Sequence, residues 1–104
     1  MITKHTLFIG LNDKDTKQQE IDTVSAYKLA IRLMNQFGYP AGTITEATGF
    51  YTHEDGTFTI EKSLKIEILF AEKDKTDALI KQAKISFNQE SIALQTEQIT
   101  SELV

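Results

Sequence analysis

The chain contains no cysteine, which excludes a disulfide framework, a thiolate zinc site and a cysteine nucleophile together. Nothing in it therefore requires an oxidising compartment. Arginine occurs only at Arg32, in a stretch that reads as helix, so no arginine-bearing phosphate loop follows the first apolar run. Glycine-rich phosphate cradles are missing as well. Long apolar runs are also absent. The one at the N-terminus is broken by Asn12 and Asp13, too soon for a signal peptide or a membrane span, and a cytoplasmic protein with no membrane contact is expected. Basic charge is scarce: 11 Lys and Arg stand against 15 Asp and Glu, a net charge of −4. Binding a phosphate backbone takes a clustered basic footprint, so no nucleic-acid partner is expected. The carboxylate excess reads as a solubilising surface.

What is present is enough for one domain spanning residues 1–104. The hydrophobic fraction is 40% and the charged fraction 25%, ordinary for a folded chain with a real core. The most informative segment is Gly42 to Phe70, two extended runs joined around Asp55-Gly56, a strong hairpin signal. In the second run Phe58, Ile60, Leu64, Ile66, Ile68 and Phe70 fall on one face. Thr59, Glu61, Ser63, Lys65 and Glu67 fall on the other.

Before the hairpin, Thr6 to Leu11 alternates as a first strand. From Val24, Tyr27, Ala30, Ile31, Met34 and Phe37 recur at helical spacing, with Asp22 or Thr23 as cap, Gly38 at the end and Pro40 beyond it. After the hairpin, Asp74 or Thr76 caps a second helix with Ala78, Leu79, Ala83, Ile80 and Phe87 inward, ended by Asn88 and Gln89. Ser91 to Gln95 reads as a last strand. Residues 97–104 form a tail left open between a short helix, a docking segment and a flexible end. The order is βαββαβ, an α+β chain. Two helices with single apolar stripes cover one face of a four-stranded antiparallel sheet, the ferredoxin-like plait. Its strand order is fourth, first, third, second, and its other face stays open.

If Asp55-Gly56 is a two-residue turn, Thr48 lies opposite Ser63, Glu46 opposite Lys65 as a cross-strand ion pair, and Ile44 opposite Glu67. A three-residue loop, read as slipping the register by one and putting Tyr51 opposite Glu61, is the alternative. On the first register Phe8, Ile44 and Phe50 share the open face and close a homo-oligomer, dimer or trimer; stacking of a flat ligand is the other reading of these residues. The candidate binding residues are Phe50, Tyr51, His53, Glu61, Ser63, Lys65 and Glu67.

The stretch Gly42-Thr43-Ile44-Thr45-Glu46-Ala47-Thr48-Gly49-Phe50, followed by Lys65-Ile66-Glu67-Ile68, resembles the nitrogen-regulatory P-II-like family. In those trimeric signalling plaits nucleotide binds between subunits, and the loop between these two strands contacts partner proteins. The resemblance implies a homo-oligomeric regulatory or small-ligand-binding module. The chain departs from the family in its short hairpin loop, His53 to Gly56. Ile85 to Gln89 stands where a glycine-rich segment belongs, and Thr96-Glu97-Gln98 where basic residues belong. Nucleotide binding in the family's manner is not expected. Gly49-Phe50-Tyr51, Gly56, Glu61, Ser63 and Phe87 to Ser91 also resemble an uncharacterised family of small bacterial plait proteins, which implies no activity.

No catalytic residue stands out. Glu61 with Ser63, and Glu90 with Ser91, bring carboxylates and hydroxyls but no matching general base. His53 beside Glu54 and Asp55 reads as a solvated turn rather than a metal site, and no metal or cofactor is implied. The expectation is a non-enzymatic module. It is either a P-II-like regulatory or ligand-binding homo-oligomer, or a stand-alone protein-interaction or inhibitor factor, such as one from a mobile element. The second would act through its open sheet face or hairpin tip. A partner protein or a small molecule suits either reading.

Overall fold

In the computed structural model, which describes residues 1–104, the alternating runs and helical stripes become β1 (Ile2–Gly10), α1 (Thr23–Gln36), β2 (Thr43–Thr52), β3 (Phe58–Leu69), α2 (Lys73–Ser86) and β4 (Ala93–Ile99). The strands form one antiparallel sheet in the order β2-β3-β1-β4, the expected plait. No helix is long and apolar enough to cross a membrane. β1 starts earlier and β4 ends later than the alternation suggests, because Ile2 to Phe8 pairs with Ala93 to Ile99 along its length. Within the tail, residues 97–99 thus belong to β4.

Leu7, Ile9 and Leu11 from the first strand and its exit pack with Leu64, Ile66 and Ile68 of β3 against Ala26, Ala30, Leu33 and Met34 of α1 and Leu79 and Ala83 of α2. Asp22 caps α1, its side chain accepting from Ser25 N–H. Both helices end in the same motif. Tyr39 N–H reaches back to Met34 C=O and Gln89 N–H to Lys84 C=O, with Gly38 (φ 89°) and Asn88 (φ 47°) in the left-handed region between.

The start of α2 differs from expectation. Glu72 is its N-cap and makes no side-chain capping bond. Thr76, a candidate cap, lies within the helix and is fully buried. Its hydroxyl is 2.8 Å from His5 Nδ1 and 2.8 Å from Tyr39 Oη. Tyr39 O–H donates to Glu72 C=O and accepts from Glu72 N–H, so the tyrosine does the capping. One proton order satisfies the whole chain, from His5 Nδ1–H through Thr76 and Tyr39 to Glu72 C=O.

The hairpin register also differs. His53 N–H donates to Thr57 C=O and Gly56 N–H to His53 C=O, which makes a three-residue loop, Glu54-Asp55-Gly56, with Gly56 at φ 87°. Asp55 braces it by accepting from Thr57 N–H and Oγ1–H. Tyr51 therefore pairs with Thr59, Gly49 with Glu61 and Ile44 with Ile66. The loop has the length of the three-residue alternative, but the register slips in the opposite direction, because the extra residue moves each β2 residue toward the loop end of β3 rather than away from it. A shift of one residue turns every side chain of a strand to the other face. Ile44 and Phe50 accordingly lie on the helix side, Ile44 partly buried against the core and Phe50 beyond it. Only Phe8 of the expected interface trio is on the open face. Glu46 has no ion pair with Lys65; its carboxylate is 3.7 Å from Lys62, and Glu67 pairs with Lys4 at 2.9 Å.

Candidate functional site

The open face carries Thr6, Phe8 and Gly10 of β1, Glu61, Ser63, Lys65 and Glu67 of β3, and Gly49 and Tyr51 of β2, all set by the pairing register. Toward the end of β1 this face turns into a cavity of about 640 Å³. Its floor is Phe8, Gly10, Gly49, Glu61 and Ser63. One wall is the projecting hairpin, with Tyr51, His53 and Thr59. The other is formed by the loop after β1, with Asn12 to Lys14 and Lys17, and the α2–β4 turn, Gln89 to Ser91. The lining is mostly polar.

Glu61 lines it, half-buried, and its Oε2 accepts from Asn12 N–H at 2.9 Å. It stands directly opposite Gly49 and beside Gly10, so two strands withdraw their side chains around it. The loop after β1 is held in place from the far end of the chain. Asn88 Nδ2–H donates to Asp13 at 2.9 Å and to Asp15 at 2.8 Å, Lys14 N–H donates to Asn88 C=O, and Gln89 Nε2–H donates to Asn12 C=O at 2.7 Å. The Asn88 amide, helped by the N–H groups of Thr16 and Asp15, holds the Asp13 carboxyl below the usual carboxylate range. On the other wall His53 Nε2 is 2.8 Å from Thr59 Oγ1, and its ring lies 4.4 Å from that of Tyr51. Farther along the face, Lys4 holds Glu67 below the usual carboxylate range through a direct hydrogen bond.

Of the candidate binding residues, Tyr51, His53, Glu61 and Ser63 meet in this cavity. Lys65 and Glu67 follow on the same face outside it, and Phe50 is on the opposite face. Sequence reasoning missed Gly10, Asn12, Lys14 and Gln89 as lining residues. The available signals were a glycine closing a strand just before Asn12-Asp13, and an Asn-Gln pair ending a helix. The cavity offers carboxylate, ammonium, hydroxyl and aromatic groups together, a set suited to a small molecule bearing charges of both signs and a flat ring.

No family model matches the sequence, and no curated protein does either. Solved structures do match. Phage SAM lyase in the apo state is 25% identical with a TM-score of 0.72, over 91% of this chain and 78% of that one. The same enzyme with S-methyl-5′-thioadenosine is 24% identical at TM-score 0.72, over 93% and 81%. The periplasmic divalent cation tolerance protein CutA of Archaeoglobus fulgidus is 13% identical at TM-score 0.62, over 96% and 87%. The GlnK–ATP complex of B. subtilis is 15% identical at TM-score 0.57, over 92% and 84%. CutA and GlnK are likenesses of fold, and at that level the P-II-like resemblance stands. The expectation of a non-enzymatic module does not stand. Phage SAM lyase is an enzyme, and it shares this architecture at the higher TM-score.

Proposed function

We propose that the chain is a lyase that cleaves S-adenosylmethionine and releases S-methyl-5′-thioadenosine from the cavity around Glu61. The observation that supports this most is the anchored Glu61 carboxylate in a polar cavity of about 640 Å³, in a fold shared with phage SAM lyase. A sulfonium substrate brings its own leaving group. An oxygen of its carboxylate forms a bond to Cγ while the Cγ–S bond breaks; the electron pair returns to sulfur as a neutral thioether, and the four-carbon fragment leaves as a lactone that keeps its ammonium. One bond forms, one breaks, and no proton moves. Such a reaction needs no nucleophile or base from the protein, which is why the sequence carries no catalytic motif.

The protein's work is then orientation and exclusion of water. Charge decides the place of Glu61. A carboxylate beside the sulfonium would stabilise a charge that the reaction destroys, and so raise the barrier. The ammonium keeps its charge throughout, so Glu61 binds it through charge-assisted hydrogen bonds and holds the chain folded for ring closure. Tyr51 and Phe8 offer flat faces to the adenine. The test is to incubate the purified protein with S-adenosylmethionine and follow S-methyl-5′-thioadenosine and the lactone by mass spectrometry. Both products are expected, with kcat/KM falling by about 10²-fold in Glu61→Gln. Absence of product at micromolar protein over hours would overturn the reading.

We also propose that the chain works as a homo-oligomer, in line with its P-II-like resemblance. Phe50 (73% exposed), Phe58 (58%) and Ile60 (61%) crowd the hairpin arm, with the two phenyl rings 6.0 Å apart. A contiguous apolar cluster of this kind calls for a covering surface. Light scattering should give a multiple of the chain mass, reduced by Phe50→Glu; a monomeric mass for the unaltered protein would refute it.

A further inference from the structure

We propose that Gly10 is a positioning residue: the absence of a side chain there is the seat in which the Glu61 carboxylate lies. The inference rests on the lyase reading for its effect on activity, but its geometry stands apart. Gly10 closes β1 opposite Ser63 on the open face, two residues along β3 from Glu61. Its backbone does not explain the glycine. Gly38 and Gly56 have φ of 89° and 87°, whereas Gly10 is not in the left-handed region. Space explains it instead. A β-carbon at residue 10 would stand 2.7 Å from Glu61 Cδ, 2.7 Å from Oε1 and 2.7 Å from Oε2. All three carboxyl atoms lie over the same missing methyl.

An alanine here has one cheap remedy. The backbone stays and the flexible end of Glu61 swings away, so the fold keeps its stability while the carboxylate leaves its place. The second anchor goes with it, because Oε2 then loses Asn12 N–H, now 2.9 Å away. Residue 12 is itself fixed from its other side by Gln89 Nε2–H on Asn12 C=O at 2.7 Å. The loop therefore cannot easily follow the departing carboxylate. A displacement on the order of 1 Å in an orienting group costs about 10²-fold in rate.

The experiment compares Gly10→Ala, Glu61→Gln, the double variant and the unaltered protein, by SAM cleavage, thermal melting and the Asn12 amide resonance in ¹H–¹⁵N spectra. Expected for Gly10→Ala is a melting temperature unchanged or slightly raised, a kcat/KM lowered about as much as in Glu61→Gln, and no further loss in the double variant. The Asn12 amide proton should move to higher field in both single variants. The dispersion of the ¹H–¹⁵N spectrum reads folding directly; a Gly10→Ala protein that fails to fold would overturn the inference, since the flexible end of Glu61 and not the backbone is expected to give way. Wild-type kcat/KM together with an unmoved Asn12 resonance in Gly10→Ala would overturn the inference, as would independent, multiplying losses in the double variant. If the unaltered protein cleaves no SAM, the lyase reading fails. The Asn12 resonance then still decides the seat, supporting it by moving and overturning it by staying.

Discussion

The two halves of β3 obey one alternation and meet opposite fates. Leu64, Ile66 and Ile68 are 0–1% exposed, while Phe58 and Ile60, on the same face of the same strand, are 58% and 61% exposed. The difference is one of length. A helix of 14 residues spans about 21 Å, whereas a strand of 12 residues reaches about 40 Å. Helices lying on the sheet cannot cover the whole hairpin, and the molecule is accordingly 47 Å long and about half as wide. Periodicity tells which face of a strand is apolar. It does not tell what, if anything, lies over that face.

The largest effect that can test this contrast is a pair of truncations on one face. Ile66→Ala removes a fully enclosed side chain and should destabilise by about 2–5 kcal/mol. Ile60→Ala, six residues earlier, should change the unfolding free energy of the chain by less than about 0.5 kcal/mol and act instead on self-association. Urea unfolding of both variants at one protein concentration reads the difference; equal costs would mean that the arm is as enclosed as the core.

The enclosed half also holds the polar chain His5–Thr76–Tyr39. Thr76→Val keeps the shape but leaves His5 Nδ1 without its partner, so a loss of about 1–3 kcal/mol is expected, less if Tyr39 holds Glu72 unaided. Burial, aided by the positive charge of Lys73 and opposed by Asp77, pushes the His5 imidazole below its usual value of 6.5. The unfolded chain therefore binds the proton more readily. The contribution of His5 is complete above about pH 6.5 and is lost as pH falls toward the depressed folded value. The unfolding midpoint should drop between pH 7.5 and 5, and His5→Leu should flatten that slope. The carboxylates with lowered values, Asp13, Asp22, Asp55 and Glu67, act only at lower pH and do not confuse this window.

The boundary between the halves is where the sequence was hardest to read. Element order and strand order followed from period alone, because each long run repeats its signal several times. The helix faces followed only in part, since Ile31 and Ala78 are exposed while Ala26, Leu33 and Thr76 are buried. The register of β2 depended on a single residue. Asp55-Gly56 has the composition of a two-residue turn, but Gly56 is the last residue of a three-residue loop in the left-handed region, and that one step moved Phe50 and Ile44 to the helix side. Glu61, Tyr51, His53 and Ser63 were legible as candidates because they belong to the hairpin itself. Gly10, Asn12 and Gln89 were not, since the cavity gathers them from the end of β1 and the turn after α2, with no local motif linking them. Gly56→Val tests the conformation of the loop. No atom lies within 4 Å of the added β-carbon, so a loss of roughly 1 kcal/mol or more would come from backbone strain, and no loss would mean that Gly56 is not in the left-handed region. A two-residue turn also holds its glycine there, so loop length is read instead from cross-strand contacts of Tyr51 with Thr59.

The smallest effect belongs to the exposed half. His53 is exposed, bonded to the exposed wall through Thr59 and set 4.4 Å from the Tyr51 ring. A side chain with so little enclosed surface contributes within about 0.5 kcal/mol, so His53→Ala should leave the melting temperature nearly unchanged. Its contact with Tyr51 gives it a different consequence. If Tyr51 carries the adenine through ground state and transition state alike, loosening that ring weakens binding uniformly, and KM for S-adenosylmethionine should rise by a few-fold with kcat unaltered. A sharp fall in melting temperature would contradict the exposure of this residue and mean that a second copy encloses the arm at His53. A fall in kcat with KM constant would instead bring the imidazole into the reaction itself, and the assignment of the orienting role to Glu61 alone would have to be given up.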